Sequence, residues 1–510
     1  MMSKVKVVLL LLLLLAISQS SMATTIIVDP SVYPANLTGY AQNLYDAYTQ
    51  LVNQATFQLK TSGSHLIILR KSSVFDDQMI PFRVLAGVSG SLLITFEDHA
   101  PAINSIDDCS QLPTVVLTAN MPTYYPDLPY PYTLFTSSFM QIASLTNFTL
   151  NGLNLKIYGD GSNAVFTNLQ YFGLSNTCVQ DLNPQSTSNF LIFTVSTTTN
   201  MVFYNVLFNR GTNGTIGINN VNVIKLSSVI SILQSKNFTY PHFVSQVTSS
   251  VKPAILVSDF KSFRVSPNAP VLSPVVLAAA GGTFNMTGFE ISDCTFSGSG
   301  SFLGYFGSVM LQTMTTVNIT DVTMRNVVLS LQNEETQTSN PFAIFTVGGI
   351  LGVFIRDIVI INLRATSYTQ DVITSGLVQR YYTYTAGWES TTIRNVTIQN
   401  SDINGAMSVL FLANDEPKNL VENLIIDRFN VINSNLTSAS LVLFSLSPRS
   451  DVIHVRNFLE HNLRRFNFTN NVLVDTQIVT YLELNSDLTI YANESVRILM
   501  DGVHFHNNVF

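Results

Sequence analysis

Apolar and polar residues alternate along this chain in a motif that recurs many times. The motif consists of two alternating apolar positions, a bend residue, two further alternating apolar positions and a final Asn. One copy occupies residues 317–326 with its bend at Asp321, and the next occupies residues 353–362 with its bend at Asp357. Alternation with a period of two is typical of a β-strand with one buried face. Because the apolar positions point to the same side before and after the bend residue, the strand is expected to turn there.

Most of the predicted bend residues are Asn, Asp or Gly. These residues adopt the left-handed backbone conformation more readily than others, which suits a sharp bend. Arg428 is the exception. The predicted bends are Gly152, Asn205, Asp259, Asp293, Asp321, Asp357, Asn395, Arg428, Asn457 and Gly502.

The distance between successive bends varies, whereas the strands around them keep a constant length. A second apolar strand precedes most bends, as at residues 409–412 and 441–444. Constant strands joined by loops of changing length indicate a solenoid, and no segment of the repeat shows a helical period. The sequence therefore predicts an all-β fold, a right-handed parallel β-helix of about ten coils.

The final Asn of the motif recurs at one phase of the repeat. Neighbouring coils of such a solenoid lie about 4.8 Å apart. Equivalent Asn side chains are then expected to form a column in which each amide bonds the next, as in stacked Asn ladders. The predicted members of this column are Asn326, Asn362, Asn400, Asn433, Asn462 and Asn507.

The N-terminal region predicts a leader followed by a cap. Lys4 and Lys6 precede an apolar run over residues 7–17, and small residues at Ser21 and Ala23 suit cleavage after Ala23. Residues 40–52 carry a helical apolar face that could close the open end of a solenoid. We therefore predict a signal peptide over residues 1–23, an N-terminal cap with opening strands over 24–112, and the β-helix over 113–510. No later segment is predicted to span a membrane.

Composition narrows the setting in which the protein works. Charged residues make up only 11% of the chain and the net charge is −7, so the chain lacks the basic surface of a nucleic-acid-binding protein. The signal peptide predicts a secreted or cell-surface location.

Three cysteines allow either one disulfide, with Cys109 and Cys178 the favoured pair, or three buried thiols. N-glycosylation sequons are frequent, and the candidate sites are Asn36, Asn147, Asn213, Asn237, Asn285, Asn318, Asn435, Asn467 and Asn493. Asn395 also lies in a sequon, but its place at a predicted bend would shield it from modification.

The layout of strands and Asn bends resembles the pectin-lyase-like right-handed β-helix superfamily, from about residue 113 onward. In that superfamily Asn commonly occupies the tight turn between two strands of each coil, as Asn205, Asn395 and Asn457 would here. The resemblance implies a β-helix and brings carbohydrate lyases and hydrolases into consideration. A signal peptide followed by a β-helix also resembles the front part of large surface proteins of unicellular eukaryotes.

Catalytic motifs of the superfamily are mostly missing from this sequence. Hydrolases resembling polygalacturonases carry Asn-Thr-Asp, Asp-Asp, Gly/Ser-His-Gly and Arg-Ile-Lys clusters. Only Asp-Asp occurs here, at residues 76–77 and 107–108, ahead of the regular coils. Without the His and Arg partners, these acids are interpreted as solvated turn residues. No cofactor and no metal site are expected.

The outward position just before each bend forms a charged stripe in the later coils. Surface ion pairs between neighbouring coils are one interpretation. The other is a groove in which Arg356, Arg394 and Arg456 grip an anionic glycan. The stripe is predicted to contain Arg356, Arg394, Asp427, Arg456 and Asp501.

The leading prediction of function is a glycosylated, secreted or cell-surface β-helix that acts as a non-catalytic binding or adhesive surface. Its expected partners are glycans or other surface proteins. Two alternatives stay open at this point. The chain could be a polysaccharide lyase or glycoside hydrolase with an unusual active site, or the ectodomain fragment of a larger membrane protein.

Overall fold

The computed structural model describes the chain in segments that cover most of the repeats. The described residues are 22–29, 39–42, 44–70, 82–85, 90–96, 102–118, 140–158, 164–181, 190–210, 214–233, 243–246, 252–264, 276–279, 282–297, 309–312, 315–331, 343–348, 352–367, 376–382, 387–404, 408–414, 420–438, 440–446, 458–483 and 495–510. Within them, no helix is long and apolar enough to cross a membrane. The chain divides into two compact units, one of residues 1–210 and 219–225 and the other of residues 211–218 and 226–510.

The first unit contains strands of two parallel sheets, a short hairpin and the helices. Its first sheet has β1 (Met22–Val28), β2 (Tyr40–Ala41), β5 (Gly63–Leu69), β7 (Gly90–Phe96), β8 (Thr114–Thr118), β10 (Asn147–Asn151), β11 (Asn154–Tyr158), β13 (Tyr171–Asp181) and β15 (Asn200–Arg210). Its second sheet has β6 (Phe82–Val84), β9 (Met140–Ala143), β12 (Ala164–Thr167) and β14 (Phe190–Ser196). The hairpin is β3 (Val52–Asn53) with β4 (Gln58–Leu59), and the helices are α1 (Leu44–Leu51) and a 3-10 turn (Asp107–Gln111).

The second unit contains strands of three parallel sheets. Its first sheet has β19 (Ala254–Arg264), β21 (Thr283–Ser292), β24 (Thr316–Arg325), β27 (Gly352–Ile361), β30 (Gly387–Gln399), β33 (Leu420–Ile432), β36 (Phe458–Thr469) and β39 (Ser495–His506). Its second sheet has β18 (Phe243–Gln246), β20 (Val276–Ala279), β23 (Val309–Gln312), β26 (Ala343–Gly348), β29 (Gly376–Tyr382), β32 (Ser408–Asn414), β35 (Ser440–Leu446) and β38 (Gln477–Glu483). Its third sheet has β22 (Thr295–Ser297), β25 (Val328–Leu331), β28 (Arg364–Ser367), β31 (Asp402–Asn404), β34 (Asn435–Thr437) and β37 (Val472–Val474). Strands β16 (Gly214–Asn219) and β17 (Val223–Leu233) are divided between the two units.

Each regular coil of the second unit takes one strand from each of the three sheets. In one coil, for example, β26, β27 and β28 follow one another, and each pairs in parallel with the same strand of the next coil. Every such strand therefore lies on its own counterpart rather than on its sequence neighbour. This arrangement is a parallel β-helix, and it confirms the predicted fold class.

The first-sheet strands bend where the sequence pattern predicts a left-handed residue. From β19 onward the bend residues all have positive φ, and we call them the bend row: Asp259, Gly288, Asp321, Asp357, Asn395, Arg428, Arg465 and Gly502. Two predicted bends are corrected by this register. Gly288 replaces Asp293, and Arg465 provides the bend in the coil for which Asn457 was predicted; Asn457 itself lies outside the described residues.

The core is built from columns of equivalent apolar side chains. Phe429 and Phe466 occupy matching positions on β33 and β36, are fully buried, and stack with ring centroids 5.4 Å apart. In the first unit Phe166 and Phe172 stack at 4.1 Å. Burying each such side chain contributes about 1.5–3 kcal/mol. Because parallel strands in register place like residues over like, one apolar position in the motif becomes a continuous core column.

Helix α1 lies within the helical segment predicted over residues 40–52. It packs beside β1 and β2, and its residues Ala47, Tyr48 and Leu51 are buried. Strand β1 pairs in parallel with β5, β5 pairs with β7, and β7 pairs with β10. The opening strands are thus in register with the strands that follow residue 113. The domain boundary between residues 112 and 113 stays a prediction.

A disulfide joins Cys109 to Cys178 in the first unit, with a Cα–Cα distance of 5.8 Å. Cys109 lies in the 3-10 turn and Cys178 lies on β13. Beside the bridge, the backbone N–H groups of Asn104 and Ser105 donate to Asp108 and lower the pKa of its carboxyl. The remaining cysteine, Cys294, is a buried free thiol.

Candidate functional site

The charged stripe predicted from the sequence lies on the outward face of the first sheet, one residue before the bend row. Arg356 faces Arg394, Arg394 faces Asp427, and the row continues to Asp501. Between Asp427 and Asp501 the row contains Arg464, where the sequence analysis predicted Arg456. Arg456 lies outside the described residues.

Asp427 is the most enclosed member of this charged row. Only 7% of it is exposed, and Arg465 of the next coil holds both of its carboxylate oxygens. Arg428 adds a longer contact, with Nε 3.8 Å from Asp427 Oδ2. A carboxylate held in this way neutralises the positive charge of the neighbouring arginine and is not available to bind a ligand.

Arg356 and Arg394, which precede Asp427 in the row, are less constrained. Arg356 Nε lies 3.9 Å from Asp357 Oδ2, while the Asn395 amide donates to Asp357 Oδ1 at 2.7 Å. Within the described part of the chain, Arg394 has no carboxylate at ion-pair distance. The row therefore mixes structural ion pairs with exposed guanidinium groups.

The structure brings five of the six predicted column residues into one file. The described column consists of Asp293, Asn326, Asn362, Asn400, Asn433, Asn470 and Asn507, all with positive φ, and we call it the asparagine column. Side-chain amides link the first three members: Asn326 donates to Asp293 at 2.9 Å and Asn362 donates to Asn326 at 3.0 Å. The backbone N–H of each turn also donates to the coil that follows, as from Asn362 to the Gln399 carbonyl at 3.1 Å.

Asn462 was wrongly assigned to this column. It lies on β36 before the bend, opposite Ile425 and Leu499, and it is 8% exposed. Asn470 takes the place instead, and its amide donates to Asn433 at 3.2 Å. The error has a simple cause, because the predicted bend at Asn457 displaced the phase of the motif by eight residues, the distance from Asn457 to Arg465.

A buried polar row stands directly behind the asparagine column. The Ser401 hydroxyl accepts from the Leu363 N–H, the Ser434 hydroxyl accepts from the Ser401 N–H, and the Asn471 side chain accepts from the Ser434 N–H. Since these groups satisfy the backbone at the turn, they hold the column in a fixed position.

A groove with a volume of about 930 Å³ runs along the asparagine column in the second unit. The column forms one wall, and the first residues of the third-sheet strands form the other. Among those residues, Arg364, Asp402, Asn435 and Val472 are exposed and lie opposite one another on successive coils. The full lining is Asn326, Val328, Asn362, Leu363, Arg364, Asn400, Ser401, Asp402, Asn433, Ser434, Asn435, Asn470 and Val472.

The groove offers neutral hydrogen-bonding groups more than charge. Side-chain amides line it on several consecutive coils, each with donor and acceptor capacity, and they repeat at the coil spacing of about 4.8 Å. Arg364 and Asp402 are neighbours in register, and no ion pair joins them in the described structure. Both side chains therefore remain able to bond a ligand.

The groove was missed by the sequence analysis, although a signal for it exists. Its second wall is formed by the residue two positions after each column Asn: Arg364 after Asn362, and Asp402 after Asn400. Each of these residues begins a short strand of the third sheet. The motif was read only as far as the final Asn, so this third strand and the concave corner before it were not predicted.

Several predicted glycosylation sites fall within the described segments. Asn285 and Asn318 lie opposite each other on β21 and β24, and Asn318 donates to Asn285 at 3.2 Å. Asn467 donates to Asn430 at 2.9 Å, and Asn435 lines the groove. Asn147 begins β10 and Asn395 lies in the bend row. Asn36, Asn213, Asn237 and Asn493 lie outside the described residues.

Comparison with known proteins assigns this chain to no family. No protein-family model matches the chain, and no curated protein matches it. Among solved structures, it is similar to the catalytic domain of a GH87 alpha-1,3-glucanase in complex with nigerose, at 13% identity and a TM-score of 0.32, over 94% of this chain and 68% of that one. A variant of such a domain in complex with tetrasaccharides matches at 11% identity and a TM-score of 0.27, with the same coverage. Likeness at this level does not bear on what this chain binds.

Proposed function

We propose that this protein is a secreted or cell-surface β-helix that binds an extended glycan along the asparagine-column groove without cleaving it. The observation that carries the proposal is the groove itself, in which amide side chains repeat coil after coil along one wall. A polymer with regularly spaced hydroxyl groups can engage such a repeating set of donors and acceptors at several places at once.

The chemistry of the two walls supports a sugar ligand. Asn amides both donate and accept, as sugar hydroxyls do, while Arg364 adds a planar donor and Asp402 adds an acceptor. The buried row of Ser401, Ser434 and Asn471 holds the column before any ligand arrives. A preorganised site loses less conformational entropy on binding.

A binding role fits the groove better than hydrolysis does. Glycoside hydrolysis commonly uses a pair of carboxylates on either side of the scissile bond. Asp402 is the one carboxylate among the residues that line the groove in the described structure. The predicted signal peptide and sequons support an extracellular setting, in which a glycan ligand would be encountered.

A glycan array probed with the unglycosylated chain tests this function. Arg364→Gln and Asp402→Asn keep side-chain size but remove the charges of the second wall. Each is expected to weaken binding of the best array hit about tenfold, the loss that follows from one hydrogen bond to a charged group. Lys261→Gln is the matched control, since its exposed ion pair with Glu290 lies outside the groove lining.

Release of sugar ends is measured in parallel on the same glycan. The proposal expects no turnover. Turnover that disappears in Asp402→Asn would establish the hydrolase alternative, and absence of any array hit would rule out glycan binding by this groove.

A further inference from the structure

Asn435 combines a glycosylation sequon with a place in the groove. The sequon is Asn435-Leu436-Thr437, on the short strand β34. Leu436 is fully buried, and Asn435 on the opposite face of the strand is exposed. Because side chains alternate along a strand, the Asn435 amide points away from the core and out of the third sheet.

The side-chain amide nitrogen of Asn435 differs from those of three other described sequons. At Asn318, Asn395 and Asn467 the side-chain nitrogen already donates to an oxygen of the neighbouring coil. Within the described part of the chain, the Asn435 side chain has no such bond. Its backbone N–H donates to the Ser401 carbonyl at 2.8 Å. A glycan on this nitrogen would replace no side-chain hydrogen bond.

The position of Asn435 makes a glycan there a competitor for the groove. Its register neighbours are Asp402 and Val472, and Asn433 of the column lies two residues before it. A sugar chain attached at this point is tethered to the site, with an effective concentration in the millimolar range. A free glycan that binds more weakly than this would be excluded.

We infer that Asn435 is an N-glycosylation site whose glycan lies in the groove and closes it to external ligands. The inference rests on the proposed function for its consequence, since it assigns a regulator to the same groove. Occupancy and docking of the glycan, however, can be measured without any external ligand.

The first test is site occupancy in the full chain expressed in a glycosylating eukaryotic host. Peptide mass spectrometry after endoglycosidase treatment reports which sequons keep a single sugar. Asn435 is expected to be modified. An unmodified Asn435 would overturn the inference.

The second test is protection of the glycan in the folded protein. When the folded protein is digested, the endoglycosidase is expected to remove the Asn435 glycan about tenfold more slowly than the Asn318 glycan. Contacts in the groove that favour the docked glycan tenfold over the free one leave about a tenth of it accessible to the enzyme. Arg364→Gln should reduce this protection, whereas Lys261→Gln should not. Equal digestion rates at Asn435 and Asn318 would contradict docking in the groove.

The third test links the glycan to ligand binding. Thr437→Val removes the sequon and leaves the Asn435 amide in place, while Thr320→Val is the matched control that removes the Asn318 sequon. Thr437→Val is expected to restore array binding to the level of unglycosylated protein, and Thr320→Val is not. If glycosylated and unglycosylated protein bind equally, the gating inference is wrong and the proposed function stands. If unglycosylated protein binds no glycan, the proposed function fails, and the protection measurement still decides where the Asn435 glycan lies.

Discussion

The guanidinium of Arg465 holds the carboxylate of Asp427 through two hydrogen bonds, across one rung of the first sheet. Nε donates to Oδ1 at 2.6 Å and Nη2 donates to Oδ2. The two residues are 38 positions apart in sequence. Arg465 forms this pair from a left-handed bend with φ 56°, a conformation that β-carbon contacts disfavour for Arg.

Substituting Arg465 should therefore destabilise the protein, because Asp427 loses its hydrogen-bond donors. Arg465→Ala is expected to lower the free energy of unfolding by about 1–3 kcal/mol, because it leaves an enclosed carboxylate without its donors. The urea-denaturation midpoint reports this loss. Arg465→Lys keeps the charge but not the two-bond geometry, and it should fall between wild type and Ala. Equal stability of all three proteins would contradict the role assigned to the pair.

Arg428 occupies the equivalent bend one coil earlier, but its contact with Asp427 is long. Its φ of 62° carries the same backbone cost without a comparable bond. Arg428→Asn, which places a bend-tolerant residue there, is expected to raise the free energy of unfolding by about 1 kcal/mol. Arg428→Ala is the matched control, since it removes the charge and keeps the unfavourable φ. Thermal unfolding of both variants separates backbone conformation from electrostatics.

Asn362 contributes to stability in two ways, through its side-chain amide bond and through its tolerance of the left-handed backbone conformation. Asn362→Gly keeps the left-handed turn and removes the amide bond to Asn326, so a loss of about 0.5–1.5 kcal/mol is expected. Asn362→Ala also loses the conformational preference, which adds about 1–2 kcal/mol. Both values come from chemical denaturation. If Gly were as damaging as Ala, the turn conformation would not be what selects Asn here.

The disulfide closes a loop of 69 residues in the first unit. Its removal by the double substitution Cys109→Ser and Cys178→Ser is expected to cost up to about 4 kcal/mol, mainly by releasing the unfolded chain. Denaturation with and without reductant measures the effect. Alkylation of the unfolded, unreduced protein should label Cys294 alone. Labelling of all three cysteines would show that the bridge does not form.

The sequence by itself determined the kind of fold and the chemistry of its turns. Period-two alternation on both sides of residues such as Asp321 and Asp357 requires strands that bend with one face buried, and Asn, Asp and Gly suit the bends. These are local properties, so they can be read from short stretches of chain. The cap helix follows in the same way from its own apolar face.

Only the tertiary structure decided which residues lie over one another. Loops of different length separate the coils, so counting along the chain lost the register between Asn433 and Gly502, and Asn462 and Arg456 were chosen where the structure has Asn470 and Arg464. Parallel pairing restores the register, because backbone hydrogen bonds and the core columns admit one alignment of β33, β36 and β39. The groove depends on the same effect. One wall consists of turn residues and the other of third-sheet residues, and they become one surface only when successive coils are stacked in register.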